Sequence, residues 1–233
     1  MIGVYNYTVV LTYLSLISAI TGIFTSLHGN GHPFLGVFFL MICGCCDAFD
    51  GKVARTKKNR SDLEKNYGIQ IDSLADIVAF GVLPACIGDS MLWNYPKLDG
   101  IPHLITDWGK ESWMTVLILA VIIFYAMAAL IRLAYFNVTE EERSRKEGGV
   151  RKYYEGLPVT GAALIFPFVM LLQYIIVIDL TPVYFLVMFI VGVCFIVPIK
   201  IPKPSFRMVL VLVAIGAIEA FVLGYFHDAI NVL

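Results

Sequence analysis

The sequence predicts an all-α fold, a polytopic membrane helix bundle of about seven transmembrane helices with a cytoplasmic N-terminus. Three observations carry that reading. The 233-residue chain is 59% hydrophobic and only 15% charged, with mean hydropathy +0.80, whereas soluble domains carry about a quarter charged residues. Apolar runs near 5–27, 33–50, 69–90, 113–136, 158–178, 182–199 and 206–227 approach the ~20 residues that cross a ~30 Å hydrocarbon core as a helix. The runs are continuous rather than alternating, which argues against a transmembrane barrel. Finally, fifteen of the seventeen basic residues fall in 51–67, 132–157 and 200–207, leaving only Lys97 and Lys110 elsewhere. Loops rich in Lys and Arg stay in the cytoplasm, so these three stretches mark the inner face and integral placement in the cell membrane.

The first run lacks a basic leader and is too long for a signal-peptide core of about 7–15 residues, so it reads as a span. The second and third runs are interrupted by carboxylates. Between them, Ser61-Asp62-Leu63-Glu64 has the spacing of a capping box and predicts the start of the helix leading into the third span. Pro33, Pro182 and Pro202 sit where spans end, while Pro84 and Pro167 lie inside spans. An internal proline is tolerated there if a neighbouring helix satisfies the carbonyl it leaves free. The largest pieces outside the membrane are a turn-rich loop over 91–112 and a charged loop over 138–156. Cys43, Cys45, Cys46, Cys86 and Cys194 lie in or beside apolar runs and read as small helix-packing residues. With no repeat or linker, 1–233 reads as one integral-membrane domain, its catalytic half about 33–160 and its generic C-terminal spans about 182–227. A net charge of −1 argues against a nucleic-acid partner.

The chemistry concentrates in two helices. Asp47, Asp50, Gly51 and Ala54 share one face about 100° wide at the end of the second span. Gly68, Asp72 and Asp76, spaced by four, share one face of the third. Sequential antiparallel helices can bring both faces together at the cytoplasmic end. A carboxylate in a membrane helix costs about 2.5–3.5 kcal/mol on insertion scales, and four also repel one another. Arg55 cannot neutralise them alone. Hard divalent cations prefer carboxylate oxygens, and two such ions supply four positive charges and suit displacement at phosphorus. Gly51, Ala54 and Gly68 leave room for a ligand such as a nucleotide against the backbone. A cation-coupled transporter is the other reading of intramembrane carboxylates, but no inverted repeat or matched pair of broken helices supports it.

The pattern D-x2-D-G-x2-A-R-x12-G-x3-D-x3-D, from Asp47 to Asp76, resembles the signature of the CDP-alcohol phosphotransferase family. The gap of twelve between Arg55 and Gly68 is longer than the family's usual one, and it falls in a cytoplasmic loop that leaves the helix faces intact. The run Gly68–Ala85, the stretch Arg132-Leu133-Ala134-Tyr135-Phe136-Asn137 and Gly156-Leu157-Pro158 further resemble the phosphatidylserine synthase branch. Tyr135 stands where that branch often has a basic residue.

The resemblance implies a homodimeric membrane enzyme that transfers a phosphatidyl group from CDP-diacylglycerol to L-serine, giving phosphatidylserine and CMP. Glycerol phosphate and inositol phosphate serve related enzymes as acceptors. The resemblance also implies Mg²⁺ or Mn²⁺ on Asp47, Asp50, Asp72 and Asp76, and Asp76 as the base. The nucleotide would lie on Asp50, Gly51, Ala54, Arg55 and Gly68. A membrane-surface helix common ahead of the first span in the family is expected to be absent here. For the serine carboxylate the sequence offers Arg132, inside a span; Asn137, Arg143 and Arg151 are further acceptor-side candidates, with Glu155 behind them. His28 and His32 fall on the outer side, away from the chemistry.

Overall fold

The computed structural model describes residues 3–28, 33–93, 112–146, 153–176, 178–202 and 206–231. A short 3₁₀ turn, Tyr7–Val9, is capped by Asn6, whose side chain accepts from the Thr8 amide at 3.0 Å. Helix α1 follows over Val10–Leu27 and α2 over Pro33–Thr56. The inner face of α1 is Thr12, Ser15, Ser18, Ala19, Gly22 and Ser26, while Leu14, Ile17, Ile20 and Phe24 point outward. Small and hydroxyl residues inside with bulky apolar ones outside is the pattern of a helix solvated by lipid. Two of these hydroxyls are satisfied within the bundle: Ser18 donates to the Phe39 carbonyl at 3.0 Å and Ser26 to the Gly22 carbonyl at 2.8 Å.

Helix α3, Asp62–Asp76, begins at the expected capping box, with the Ser61 hydroxyl accepting from the Glu64 amide and the Glu64 carboxylate from the Ser61 amide. It continues through a π-helical turn, Ile77–Val82, into α4, Leu83–Trp93. The wide turn precedes Pro84, which has no N–H to give the carbonyl four residues back. That carbonyl belongs to Phe80, and the Tyr125 hydroxyl reaches it at 2.6 Å from another helix. The Pro84 carbonyl in turn accepts from Tyr184 at 2.8 Å. Tyr125→Phe removes the first bond inside a fully buried region, so it should lower stability by about 1–3 kcal/mol. Denaturation in detergent checks this; an unchanged midpoint would mean that the π turn satisfies Phe80 without help.

Helix α5 spans Ser112–Lys146, 35 residues, or about 52 Å at 1.5 Å per residue. Residues 138–146, expected as part of a charged loop, are helix instead. The reason is local: this stretch is rich in Glu, Arg and Lys, good helix formers, and Arg143 pairs with Glu140 one turn back at 2.6 Å. Strand β1, Tyr153–Glu155, comes next, then α6 over Ala162–Ile176 and α7 over Thr181–Ile196. Strand β2, Lys200–Pro202, and α8, Phe206–Asn231, close the described chain. The two strands pair antiparallel, Tyr153 opposite Pro202 and Glu155 opposite Lys200. They clip the α5–α6 connection to the α7–α8 connection. Gly156 leaves this ribbon with φ +79, and a side chain there would stand 2.8 Å from the Phe195 carbonyl oxygen, so the turn admits only glycine.

Five helical stretches are long and apolar enough to cross a membrane: Tyr7–Leu27, Pro33–Thr56, Asp62–Leu92, Trp113–Arg143 and Arg207–Tyr225. The other two expected spans appear as shorter apolar helices, Val159–Gln173 and Thr181–Ile196. Pro158 precedes the first, Pro182 sits in the first turn of the second, and extended backbone at Val197 ends the second. The chain is thus an all-α membrane bundle. Its core lies where α2, α4, α5, α6 and α7 meet. There Tyr125, Phe166 and Tyr184 form a row of rings with centroids 5.6 and 4.9 Å apart.

Candidate active site

The turn between α2 and α3 is fixed by one side chain. Glu64 accepts from Asn6 at 2.9 Å, from Lys57 at 2.5 Å and from the Ser61 amide at 2.9 Å. It therefore holds the chain's start, the end of α2 and the start of α3 together. Six residues of α3 precede Gly68, so part of the long gap is helix and the aspartate face keeps its register. Antiparallel α2 and α3 then bring Asp47, Asp50 and Asp72 together, with carboxylate oxygens all within 4.8 Å of one another. Asp76 stands outside that group. It is buried one turn deeper, only 8% exposed, within electrostatic reach of the other three.

Among the described residues no Lys or Arg forms an ion pair with any of the four aspartates. Three converging hard oxygen donors that make no ion pair among the described residues fit a divalent cation. Three of the four aspartates expected from sequence form this donor set, and Asp76 is not among them.

Beside the carboxylates lies a cavity of about 190 Å³. Asp50, Gly51, Ala54, Arg55 and Gly68, all five residues expected to face a nucleotide, line it together with Asp72. Thr8, Val9 and Thr12 from the start of the chain, with Arg60 and Ile69, complete the wall. These last five were not found from sequence. The two threonines enter only through the packing of α1, and Arg60 read as one basic residue among many in a cytoplasmic loop. The Gly51 amide donates to the Asp50 carboxylate beside it.

The acceptor-side candidates separate. Asn137 donates to the Ser73 hydroxyl at 2.7 Å, which joins α5 to the residue between Asp72 and the deeper Asp76. Arg132 is buried on a different face of α5, its Nε donating to the Leu157 carbonyl at 3.2 Å and its guanidinium 5.4 Å from the centre of the Phe136 ring. It lines a second cavity of about 290 Å³ with Tyr135, Glu155 and Phe195, and Glu155 accepts from Tyr135 at 3.1 Å. Arg143 is held by Glu140. Arg151 lies outside the described residues, as do His32 and the loop 97–110. His28 stacks on Phe24 at the opposite end of α1, away from the aspartates. All five cysteines are free, and Cys43 is a packing residue whose thiol reaches the Ser15 carbonyl at 3.3 Å.

Comparison with known proteins agrees with this geometry. The profile of the CDP-alcohol phosphatidyltransferase family matches residues 5–198. The chain belongs to that family. The match takes in the cavity, the aspartate pair of helices, β1 and the helices through α7, and it stops before β2 and α8. The chain is also similar to CDP-diacylglycerol–serine O-phosphatidyltransferases. That of Saccharomyces cerevisiae is 33% identical over 156 residues, 63% of this chain and 48% of the relative. That of Mycobacterium tuberculosis is 28% identical over 66% of this chain and 45% of its own length. The Helicobacter pylori enzyme is 26% identical over 64% and 51%. The chain therefore spans about half the length of the curated relatives it matches.

Proposed function

We propose that this chain transfers the phosphatidyl group of CDP-diacylglycerol to L-serine, releasing CMP. The observation that carries the reading is the Asp47–Asp50–Asp72 cluster opening onto a cavity walled by Gly51, Ala54, Arg55 and Gly68. The activity for which the matching relatives are named supports the choice of donor and acceptor.

Asp47, Asp50 and Asp72 would be the primary ligands for two divalent ions, Mg²⁺ or Mn²⁺, with Asp76 behind them. Bound there, such ions would neutralise a diphosphate and assist displacement at phosphorus. The small side chains of Gly51, Ala54 and Gly68 let the nucleotide lie against the helix backbones. Asp76 accepts the proton of the seryl hydroxyl. The seryl oxygen bonds to the phosphorus that carries diacylglycerol, and the bond from that phosphorus to CMP breaks. Asn137, tied to Ser73, stands first among the acceptor contacts, ahead of Arg132 in the second cavity and of Arg143, which is held by Glu140.

The test is incubation of purified protein with CDP-diacylglycerol and a panel of labelled serine, glycerol phosphate, inositol phosphate and choline. Label enters lipid from serine, with CMP released in equal amount. Incorporation from another alcohol alone would replace the acceptor, and no CMP release in detergent would favour transport over catalysis.

The same reading makes the chain one domain of seven passes in the cell membrane, working as a homodimer, with N-terminus and active site in the cytoplasm. The distribution of Lys and Arg supports that orientation. Single cysteines in 56–66 should be labelled only from the cytoplasm and those in 97–110 only from outside. Outside labelling of 56–66 reverses the orientation. Crosslinking in native membranes reads the dimer, and a monomer alone at all protein levels removes it.

A further inference from the structure

Arg60 precedes α3 and belongs to none of the motif positions, yet its guanidinium lies in the cavity beside the aspartates. A side chain built on Gly68 would stand 2.9 Å from Arg60 Nη2, so the guanidinium lies directly over that glycine. Arg55 sits in the same way over Gly51, 3.4 Å from where a Cβ would be. The two helices thus each present a bare stretch of backbone roofed by an arginine.

Arg60 is anchored but not consumed. Nη2 donates to the Glu64 carbonyl at 3.3 Å, the one hydrogen bond it makes among the described residues, and its Nε is buried without a partner. Glu64 itself is held from three sides, so the anchor is rigid. Asp50 and Asp72 line the same cavity, and neither forms an ion pair with Arg60. A buried donor left unmade costs about 1–3 kcal/mol, more when charged. A guanidinium prefers a planar pair of oxygens from a carboxylate or phosphate. The neighbouring carboxylates do not supply that pair, so an entering anion must.

We propose that Arg60 is a binding residue for the phosphates of the nucleotide donor, working opposite Arg55 across the cavity. This rests on the nucleotide-lipid reading of the site. Arg60 reads charge and not the base: Thr8, Val9 and Thr12 form the uncharged side of the wall, where a pyrimidine ring fits better than a phosphate.

Calorimetric titration of the full chain in detergent, at fixed Mn²⁺, tests the assignment with CDP, UDP and cytidine as probes. Arg60→Gln should weaken CDP and UDP by the same factor, about tenfold or more, and leave cytidine unchanged. Arg60→Lys, which keeps the charge but loses the fork, should fall between. Calorimetry reports Kd on the folded fraction, so a partly misfolded variant still answers. Unchanged CDP affinity in both variants overturns the proposal, and so does a loss confined to CDP with UDP unaffected, because that would be base recognition. A wild-type chain that binds none of the three sinks the nucleotide reading itself, a result distinct from either.

Discussion

Asp76→Asn lowers turnover by roughly 10² to 10⁴, the range for loss of a positioned proton acceptor, while affinity for CDP-diacylglycerol changes far less. Asn keeps the size and shape of the side chain but cannot take up a proton. The structure supports the division of labour, because Asp76 is not one of the three carboxylates that converge within 4.8 Å. It lies one helical turn deeper on the same face as Asp72, almost wholly buried. The corresponding changes at Asp47, Asp50 and Asp72 should instead weaken metal and nucleotide together. The measurement pairs nucleotide-lipid affinity with single-turnover rate for all four variants. If Asp76→Asn loses affinity as badly as Asp47→Asn while some rate survives, Asp76 is a ligand and the base is another group.

Chelation abolishes turnover, and adding back Mg²⁺ or Mn²⁺ restores it. Without a cation the cavity presents carboxylates to a diphosphate, and like charges this close repel strongly in a poorly solvated site. Arg55 and Arg60 line the cavity but neither is ion-paired with an aspartate, so the protein does not mask that charge. Activity assayed across an EDTA series, with the chelator then titrated by each metal, reads the dependence. Full activity in excess EDTA removes the metal site from the mechanism.

What could be read from the sequence was what depends on local periodicity. Asp47, Asp50, Gly51 and Ala54 on one helix, and Gly68, Asp72 and Asp76 on the next, needed only the angle between successive residues. The capping box at Ser61 needed only a spacing of three. The demand of Pro84 for an outside hydroxyl was also foreseeable, although Tyr125 as its donor was not. What escaped needed tertiary contacts. Arg60 reaches Gly68 only because Glu64 folds the turn back on itself. Thr8 and Thr12 become cavity wall only when α1 packs beside α2 and α3. The β1–β2 clip joins two three-residue strands far apart in sequence, too short to show any alternation. The end of α5 was lost to its charges, since polarity marks the membrane boundary and says nothing about where a helix stops.

That last helix has a practical consequence. At about 52 Å α5 outruns a ~30 Å hydrocarbon core, so some turns of helix project beyond the membrane. A small membrane protein of 25.9 kDa is poor material for particle alignment in electron microscopy. A soluble helical marker fused in continuous register after Glu142 would inherit the direction of α5, and each residue added or removed at the junction would turn it by about 100°. The protein thus carries its own mounting post, on the same end of the bundle as the aspartates.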